Sequence, residues 1–355
     1  MKIALVHDQL NEFGGAERVL LAMSELYPDA PIYTAYFVHG SPAWERFKDR
    51  DIHVSWMQYI WRLASPLRFL APWVWNSFDF TQFDVILGSS SWYITKGFAK
   101  KGKATELCYC HTPPRWLYGY PTSVDWQKYS IVRAYAAFVG FFMRQYDFAA
   151  SQRVNYFIAN SQETARRIKK FYRRDSVVVY PPIEIISNLK FSIFKKENYY
   201  LFVSRPVGSK GLELALDAAR KLHFQLKIVG RDGLNEKNIE YLGRVSDEKL
   251  AALYAGAKAF LALATDEDFG MTPVEAMSVG TPVIGFNGGG YAESVIDGKT
   301  GVVFDDPTVN GLTKAIQKFE STKKDWKKDC LKQAEKFSKK RFMDELREFI
   351  SSHTV

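Results

Sequence analysis

Cysteine and long apolar runs are both scarce in this sequence of 355 residues. Of its three cysteines, Cys108 and Cys110 lie two apart on a predicted strand, where alternate side chains point to the same face. They form no disulfide framework, which favours a reducing compartment. The longest apolar run, residues 134–143, falls well short of the roughly 20 residues that span a membrane. The run within Met1–Asp8 is too short for a secretory signal, so we expect a cytoplasmic protein.

Neither the hydrophobic nor the charged fraction is that of a disordered or fibrous chain. Hydrophobic residues make up 47% and charged residues 25% of the chain, which is typical of a globular protein. Lysine and arginine number 48 against 39 acidic residues, so the formal net charge is +9. This excess favours acidic partners such as phosphates, nucleic acid or an anionic lipid surface.

Short apolar runs alternate with helical patterns, which predicts parallel sheets with crossover helices. Helix-start signals stand between the runs, for example Ser161 before residues 162–172 and Ser246 before residues 247–257. The predicted strands are residues 2–7, 84–89, 106–111, 156–159, 177–180, 200–204, 225–229, 259–263, 282–286 and 301–304.

These elements fall into two successive series, separated by Pro181-Pro182 and a loosely patterned stretch. At roughly 150 residues per domain, the chain length also indicates two domains. We therefore predict an α/β protein with two doubly wound parallel-sheet domains, at residues 1–183 and 198–335. We expect a last helix, within residues 336–355, to pack back toward the first domain.

Aromatic residues are unevenly distributed, with eight of the nine tryptophans before residue 127. Residues 56–78 hold four tryptophans and two arginines but no acidic residue. This mixture suits an interfacial helix or hairpin, a groove for an amphipathic ligand, or equally a buried helix pair. Residues 131–146 repeat the mixture and predict a buried helix. Residues 166–174 contain six basic side chains, which indicate a solvated helix end or a contact with an anionic bilayer.

Two common nucleotide motifs are absent. No G-x-G-x-x-G follows the first predicted strand, and no P-loop occurs anywhere, which argues against dehydrogenases and P-loop NTPases. The first strand leads instead to a Gly14-Gly15 turn before a helix, which fits a phosphate cradle or a plain tight turn. The loop that opens the second series carries Arg205 and Lys210, two charges that suit a diphosphate but also occur on ordinary surface loops.

The sequence DEDFGMTPVEA at residues 266–276 follows a predicted strand and begins a helix. We predict Thr272 as the N-cap and Pro273 as the first helical residue. Glu275 then completes a capping box, which explains it structurally. Glu267 has no such explanation, so we interpret it as a binding residue at the start of this helix.

We assign no metal site. The D-x-D at residues 266–268 is matched equally well by residues 49–51, so that pattern has little weight. His111 follows Cys108-x-Cys110, but a zinc site needs a fourth ligand that is not evident nearby.

Glu267 and Glu275, with seven residues between them, resemble the E-x7-E element of retaining glycosyltransferases of family four, which have the GT-B fold. The other motifs of that family occur in the family's order along essentially the whole chain. They are GGAERV (14–19), CHTPPR (110–115), the loop with Arg205 and Lys210, GRVSDEKLAALYAGAKAFL (243–261), VGTPVIGFNGGGYAESVIDGKTGVVF (279–304) and FSKKRF (337–342). GGAERV, CHTPPR and EDFG look most like the mannosyltransferase-like subgroup of surface polysaccharide biosynthesis. Asp268 departs from the family, because many members have glycine at this position.

The resemblance implies roles for the matched residues. Arg205 and Lys210 would neutralise the diphosphate leaving group, and Glu267 would hold the donor sugar. Glu275 would bind the ribose hydroxyls. His111 would lie near the donor sugar and the acceptor, although by itself it is equally well explained as a structural histidine. Further donor-binding residues would be Gly14, Gly15, Val245 and the backbone N–H groups of Phe269, Gly270 and Met271.

The resemblance implies a retaining hexosyltransferase that needs neither a metal nor another cofactor. Its favoured substrates are GDP-mannose and a hydroxyl of a lipid-linked oligosaccharide or polysaccharide precursor, at the inner membrane face, where the protein would be peripheral. A UDP-sugar transferase of the same fold, for glucose or N-acetylglucosamine, is the alternative. No recognised module supports a nucleic-acid-binding protein, so nucleic acid is not an expected partner. A non-catalytic sugar-nucleotide sensor is disfavoured because both glutamates and both cations are present.

Overall fold

The structure, a computed structural model, describes residues 1–122, 129–184, 196–204 and 210–354. By their contacts these residues divide into two compact units. The first unit contains Met1–Tyr120, the described part of Trp126–Pro182, and the C-terminal segment from Lys340. The second contains the described parts of Pro121–Asp125 and Ile183–Lys339. Each unit is built on one parallel sheet, which confirms the predicted fold class.

Among the described residues, seven parallel strands form the sheet of the first unit. They are β1 (Ile3–His7), β2 (Ile32–Thr34), β3 (Ile52–Val54), β4 (Val85–Ser90), β5 (Thr105–Cys110), β6 (Tyr156–Ala159) and β7 (Ser176–Val178). Their order is β3-β2-β1-β4-β5-β6-β7. The chain builds outward from β1 to one edge and then from β4 to the other, so β1 and β4 flank a topological switch point.

Helices cover both faces of this sheet. They are α1 (Gly15–Leu26), α2 (Trp44–Phe47), α3 (Ala71–Asn76), α4 (Ser130–Arg153) and α5 (Gln162–Tyr172), with short 3-10 helices at Trp56–Leu63 and Arg68–Leu70. Alternate residues of the central strands belong to different cores: Val6 and Ile86 lie in one, Leu5 and Leu87 in the other. Strands buried on both faces explain why these segments read as continuous apolar runs.

The described part of the second unit repeats the architecture with six parallel strands and a switch point between β8 and β11. The strands are β8 (Tyr199–Val203), β9 (Gln225–Val229), β10 (Ile239–Tyr241), β11 (Ala259–Ala262), β12 (Val283–Phe286) and β13 (Gly301–Phe304), in the order β10-β9-β8-β11-β12-β13. Its helices are α6 (Leu212–Leu222), α7 (Asp247–Gly256), α8 (Met271–Ser278), α9 (Tyr291–Ser294), α10 (Val309–Ser321) and α11 (Lys327–Glu335).

The last helix, α12 (Lys339–His353), packs on the first unit. Its side chains Phe342, Leu346 and Ile350 are fully buried in the core that also contains Leu5. Arg341, at its first turn, donates to the backbone carbonyl of Tyr180 over 2.8 Å.

The long elements agree with the sequence prediction, whereas three short strands were not predicted. The strands β6, β9 and β13 have the predicted bounds, and the caps Ser161 and Ser246 each accept a backbone N–H as predicted. The strands that were not predicted, β2, β3 and β10, have three residues each, which is too few to show a periodic pattern in the sequence.

Residues 131–146 form a helix as predicted, but the prediction that this helix is buried was wrong. The helix α4 is present, but most of its first four turns is exposed, including Phe138 at 69% and Phe142 at 55%. Only one face, with Gly140, Met143 and Asp147, is buried. The segment 56–78 is only partly a buried helix pair, because Met57 and Trp75 are core residues while Tyr59 and Trp73 are exposed.

A buried ion pair fixes α4 to the sheet. The Nζ of Lys96 lies 2.5 Å from Oδ1 of Asp147, and the hydroxyl of Tyr118 donates to Oδ2 over 2.7 Å. Burial alone lowers the pKa of Lys96, but the Asp147 carboxylate outweighs it and raises that pKa, so the lysine stays charged. The Lys96 ammonium also lies 4.8 Å from the ring centroid of Tyr172, so Asp147 and an aromatic ring both stabilise this buried charge.

We expect Asp147→Ala to lower the free energy of unfolding by about 3–5 kcal/mol, because it leaves Lys96 buried without a counter-charge. Urea denaturation of the full chain measures this. The matched control is Asp175→Ala, which removes the partner of Lys169 from an exposed pair and should change stability little. Equal, small effects of the two substitutions would contradict the assigned role.

Candidate active site

The switch point of the second unit brings Lys210 and Glu267 together. Lys210 lies in the connection after β8 and Glu267 in the connection after β11, and these two strands are neighbours. Gly211 has φ +80°, and a Cβ there would lie 2.6 Å from the backbone oxygen of Leu263, just past β11. Only glycine allows this close approach, which places the loop that carries Lys210 against the end of β11.

Glu267 is held by two side chains. Its carboxylate accepts from Nζ of Lys210, and it also accepts from the hydroxyl of Tyr291. Burial and the nearby carboxylate raise the pKa of Tyr291 well above its usual value, so the hydroxyl keeps its proton and donates it. Glu267 is 15% and Lys210 33% exposed, which leaves both accessible to a ligand.

A run of glycines lets the next loop pack directly on this segment. Gly289 has φ +54°, and a Cβ there would lie 2.2 Å from the backbone oxygen of Glu267. Gly290 donates its N–H to the same oxygen over 2.9 Å. This packing delivers Tyr291 to Glu267. The sequence analysis included GGGY only as part of a motif and did not identify Tyr291; three glycines before an aromatic residue were the available signal.

The helix α8 begins earlier than predicted. Its N-cap is Gly270, with φ +82°, and Met271 is its first residue, so the prediction of Thr272 as N-cap and Pro273 as first helical residue was wrong. Glu275 lies in the second turn, beyond the reach of a capping box, and accepts from the hydroxyl of Tyr254 over 2.9 Å. Its capping explanation therefore fails.

Among the three residues predicted to offer backbone N–H groups, Gly270 and Met271 lie at the N-terminus of α8, where such groups have no partner within the helix. The side chain of Phe269 is buried and packs against Phe337, with ring centroids 5.4 Å apart. It anchors the loop in the core of the second unit.

The loop at Val245 lies at the same edge of the sheet. Gly243 donates to the backbone oxygen of Arg231 over 3.2 Å and accepts from the N–H of Gly230 over 2.7 Å, which joins the loops after β9 and β10. Val245 is half-buried. Nε of Arg231 is buried and has no hydrogen-bond partner among the described residues.

Two further predictions concern this unit. Arg205 lies outside the described residues. Within the part of the chain that the structure describes, no group of three or more histidine, cysteine, aspartate or glutamate residues is arranged to hold a metal ion.

The first unit has its own polar cluster at its switch point. The hydroxyl of Ser89, at the end of β4, lies 2.9 Å from Nδ1 of His7 and 2.8 Å from Nε2 of His111. All three side chains are buried. The sequence analysis selected His111 but missed His7 and Ser89, although His7 is the last residue of an apolar strand and Ser89 the last but one.

Glu17 connects this cluster to the Gly14-Gly15 turn. Its Oε2 accepts the N–H of Gly14 over 2.7 Å, and its Oε1 lies 3.7 Å from Nε2 of His7. Burial by itself raises the pKa of Glu17, but His7 and the Gly14 N–H outweigh it and lower that pKa. The carboxylate therefore caps α1, and the N–H of Gly14 already has a partner.

The chain of contacts sets the tautomer of His111. Burial and the neighbouring His7 lower the pKa of His111 to about 3, so its ring is neutral at neutral pH. In neutral His7 the Glu17 carboxylate favours the proton on Nε2, which leaves Nδ1 to accept from Ser89. The Ser89 oxygen then accepts from Nε2–H of His111, and Nδ1 of His111 keeps a free lone pair.

Comparisons with known proteins agree with this architecture. Residues 13–185 match the family model described as Glycosyltransferase Family 4, and residues 187–340 match the model described as Glycosyl transferases group 1. The chain belongs to glycosyltransferase family four. The crystal structure of Anabaena Alr3699/HepE in complex with UDP has the same fold as this glycosyltransferase, with a TM-score of 0.70 at 20% identity over 99% of this chain and 100% of that one.

The relatives of this chain include mannosyltransferases. It is 26% identical to the alpha-1,3/1,6-mannosyltransferase ALG2 of Mus musculus, over 95% of this chain and 93% of that protein. It is 38% identical to the lipopolysaccharide core biosynthesis mannosyltransferase LpcC of Rhizobium leguminosarum, over 24% of this chain and 23% of that one. The match to the uncharacterized glycosyltransferase MJ1178 of Methanocaldococcus jannaschii has 32% identity and covers 34% of this chain and 37% of that protein.

We expect Ser89→Ala to abolish the single tautomer of His111, because it removes the hydroxyl that joins the two imidazoles. Nitrogen-15 NMR of the imidazole rings measures which nitrogen carries the proton. The matched control is Ser90→Ala, the next residue along β4, which should leave the His111 signals unchanged. A proton on Nδ1 of His111 in the wild type would refute the proposed order of donors.

We expect Tyr291→Phe to weaken binding of a nucleotide-sugar about tenfold or more, since a hydrogen bond to a charged group is worth about 1.5–3 kcal/mol. Binding of the free nucleotide should hardly change, because Glu267 is assigned to the sugar. Titration calorimetry with both ligands measures the difference. Tyr254→Phe, at Glu275, is the comparison and should weaken both ligands alike. If Tyr291→Phe weakened binding of the free nucleotide as much as binding of the nucleotide-sugar, as Tyr254→Phe is expected to do, Tyr291 would have no role in positioning Glu267 for the sugar.

Proposed function

We propose that this glycosyltransferase transfers mannose from GDP-mannose to a hydroxyl of a lipid-linked oligosaccharide or polysaccharide precursor, with retention of configuration. The observation that carries the proposal is the Lys210–Glu267–Tyr291 cluster at the switch point of the second unit. A cation and a carboxylate lie side by side there, as recognition of a sugar diphosphate requires. The similarity to ALG2 along almost the whole chain supports mannose as the sugar.

Lys210 acts on the leaving group. Breaking the bond between sugar and diphosphate adds negative charge to the phosphate oxygens, and a cation fixed beside them stabilises that charge. Lys210, together with Arg205, would supply this stabilisation without a metal ion. Glu267, held by Tyr291, then orients the sugar hydroxyls.

Guanine is the proposed base. Arg231 presents guanidinium donors at the edge where the loops after β9 and β10 meet, and its Nε lacks a partner among the described residues. Guanine offers two adjacent acceptors, O6 and N7, to such a group. The second candidate, a UDP-sugar donor, is favoured by the UDP complex of the structurally similar Anabaena protein.

His111 serves the acceptor. With a pKa of about 3 it is a neutral ring and accepts a hydrogen bond through Nδ1. We assign it to orienting the acceptor hydroxyl, and the departing phosphate to receiving that proton in a front-face substitution. No enzyme nucleophile is assigned.

The acceptor is proposed to be lipid-linked, at the inner membrane face. The similarity to LpcC, whose name refers to lipopolysaccharide core biosynthesis, supports this. Among the described residues, no helix is long and apolar enough to cross a membrane. We propose that the glycosyltransferase reaches such an acceptor as a peripheral protein.

We expect GDP and GDP-mannose, without added metal and with EDTA present, to stabilise the protein in a thermal-shift panel that also contains UDP, UDP-glucose and UDP-N-acetylglucosamine. A ligand at a concentration of 100 times its dissociation constant raises the free energy of unfolding by about 2.7 kcal/mol. Lys210→Ala should remove most of the shift, whereas Lys314→Ala, an exposed lysine of the same unit, should not.

A shift selective for UDP ligands would replace GDP-mannose by the second candidate. A shift that appears only with a divalent cation would refute metal independence. No shift with any nucleotide would overturn the proposed donor site.

A further inference from the structure

Helix α4 presents an apolar stripe to solvent. Ile131, Tyr135, Phe138 and Phe142 follow one another at intervals of four, three and four residues, and therefore share one face of the helix. They are 83%, 43%, 69% and 55% exposed. The buried residues of α4 lie on the opposite face, so the stripe is not part of the core.

A second segment continues this surface. The hydroxyl of Tyr135 donates to the backbone oxygen of Pro66 over 2.6 Å, which places α4 beside the 3-10 helices of the first unit. Residues 56–76, which contain these 3-10 helices and α3, expose Tyr59 at 89% and Trp73 at 61%. We call the stripe of α4 together with Tyr59, Leu63 and Trp73 the aromatic surface.

The two segments that form the aromatic surface carry charge of one sign. No acidic residue occurs in residues 52–78 or in residues 129–146, whereas Arg62 is exposed within the first of them. Exposed aromatic side chains in segments that hold arginine but no acidic residue, on a helix that is too polar to span a bilayer, are typical of a membrane interface. A negatively charged leaflet would attract Arg62, and the aromatic rings would enter its headgroup region.

The basic segment 166–174 is a weaker candidate for this contact. Arg167 is buried and paired with Glu163, and Lys169 is paired with Asp175. Arg174 donates to backbone oxygens of the first unit. Much of its charge is therefore already used within the protein.

We propose that the aromatic surface docks on an anionic lipid bilayer. The inference deepens the proposed function and rests on it for its biological sense, because a lipid-linked acceptor is presented at such a bilayer. The docking itself depends only on residues of the first unit, so it can fail or hold independently of donor binding in the second.

The test is flotation of the full chain with vesicles of phosphatidylcholine alone or mixed with phosphatidylglycerol, at low and high salt. We expect the wild type to float with the anionic vesicles and binding to weaken at high salt. Phe138→Ser/Phe142→Ser should lower the partition coefficient about tenfold or more, because it removes two phenyl groups from the face of α4 that would enter the bilayer. Arg62→Gln should lower it about fivefold and reduce its salt dependence.

The matched control is Val177→Ser/Leu234→Ser, which removes two exposed apolar side chains outside the aromatic surface and should bind as the wild type does. Tyr59→Ser/Trp73→Ser tests the second segment without altering α4. Thermal shifts with nucleotide, recorded on every variant, show that the donor site remains intact.

Several results would overturn the proposal: no flotation of the wild type, equal binding to neutral vesicles, or equal losses in the control. Self-association of the wild type that the α4 variant abolishes, without flotation, would assign the surface to a second copy of the chain. Flotation without any nucleotide shift would keep this surface and reject the proposed donor site. A nucleotide shift without flotation would keep the proposed donor site and reject the docking of the aromatic surface.

Discussion

The parallel direction of the strands is the constraint on which both sites depend. In a parallel sheet the carboxyl ends of all strands lie at one edge, so residues far apart in sequence meet there once the strand order is set. Ser89, the last residue but one of β4, meets His7 of β1 and His111 after β5 in this way. Lys210 and Glu267, which follow β8 and β11, meet at the second switch point. The strand order therefore determines which residues come together at the carboxyl edge of the sheet. The side chains at these strand ends determine the chemistry of each site.

Both meeting points share a second property, because their polar groups are held by other protein groups. Glu267 is fixed by Lys210 and Tyr291, and Ser89 joins two buried imidazoles. Burying such groups costs free energy unless they are hydrogen-bonded, so each network must be nearly complete to exist. A completed network holds its members in one geometry before a substrate arrives, which favours electrostatic stabilisation of a transition state. The neutral ring of His111 follows from the same burial that lowers its pKa.

The sequence predicted the features that have a local signal. Long buried strands appear as apolar runs, and the caps Ser161 and Ser246 precede periodic helices, so these elements were predicted almost to the residue. The start of α8 was missed because Gly270 adopts a left-handed backbone conformation and ends the loop two residues before Thr272. Tyr291 was missed because its role depends on a close approach of two backbones that are distant in sequence. Glu267 was found from its position before a helix and His111 through a family resemblance, and the contacts of both became evident only from the fold.

Helix α4 shows why composition alone did not predict its burial. Its apolar run looks like core because both of its faces are apolar, yet only one of them packs on the protein. Asp147 decides which face this is: its buried pair with Lys96 and its bond to Tyr118 fix the rotation of the helix about its axis. Residues opposite Asp147 must then point outward, and the stripe from Ile131 to Phe142 is that opposite face. A buried polar contact thus determines which apolar face of the first unit is exposed, and with it the surface on which the proposed docking depends.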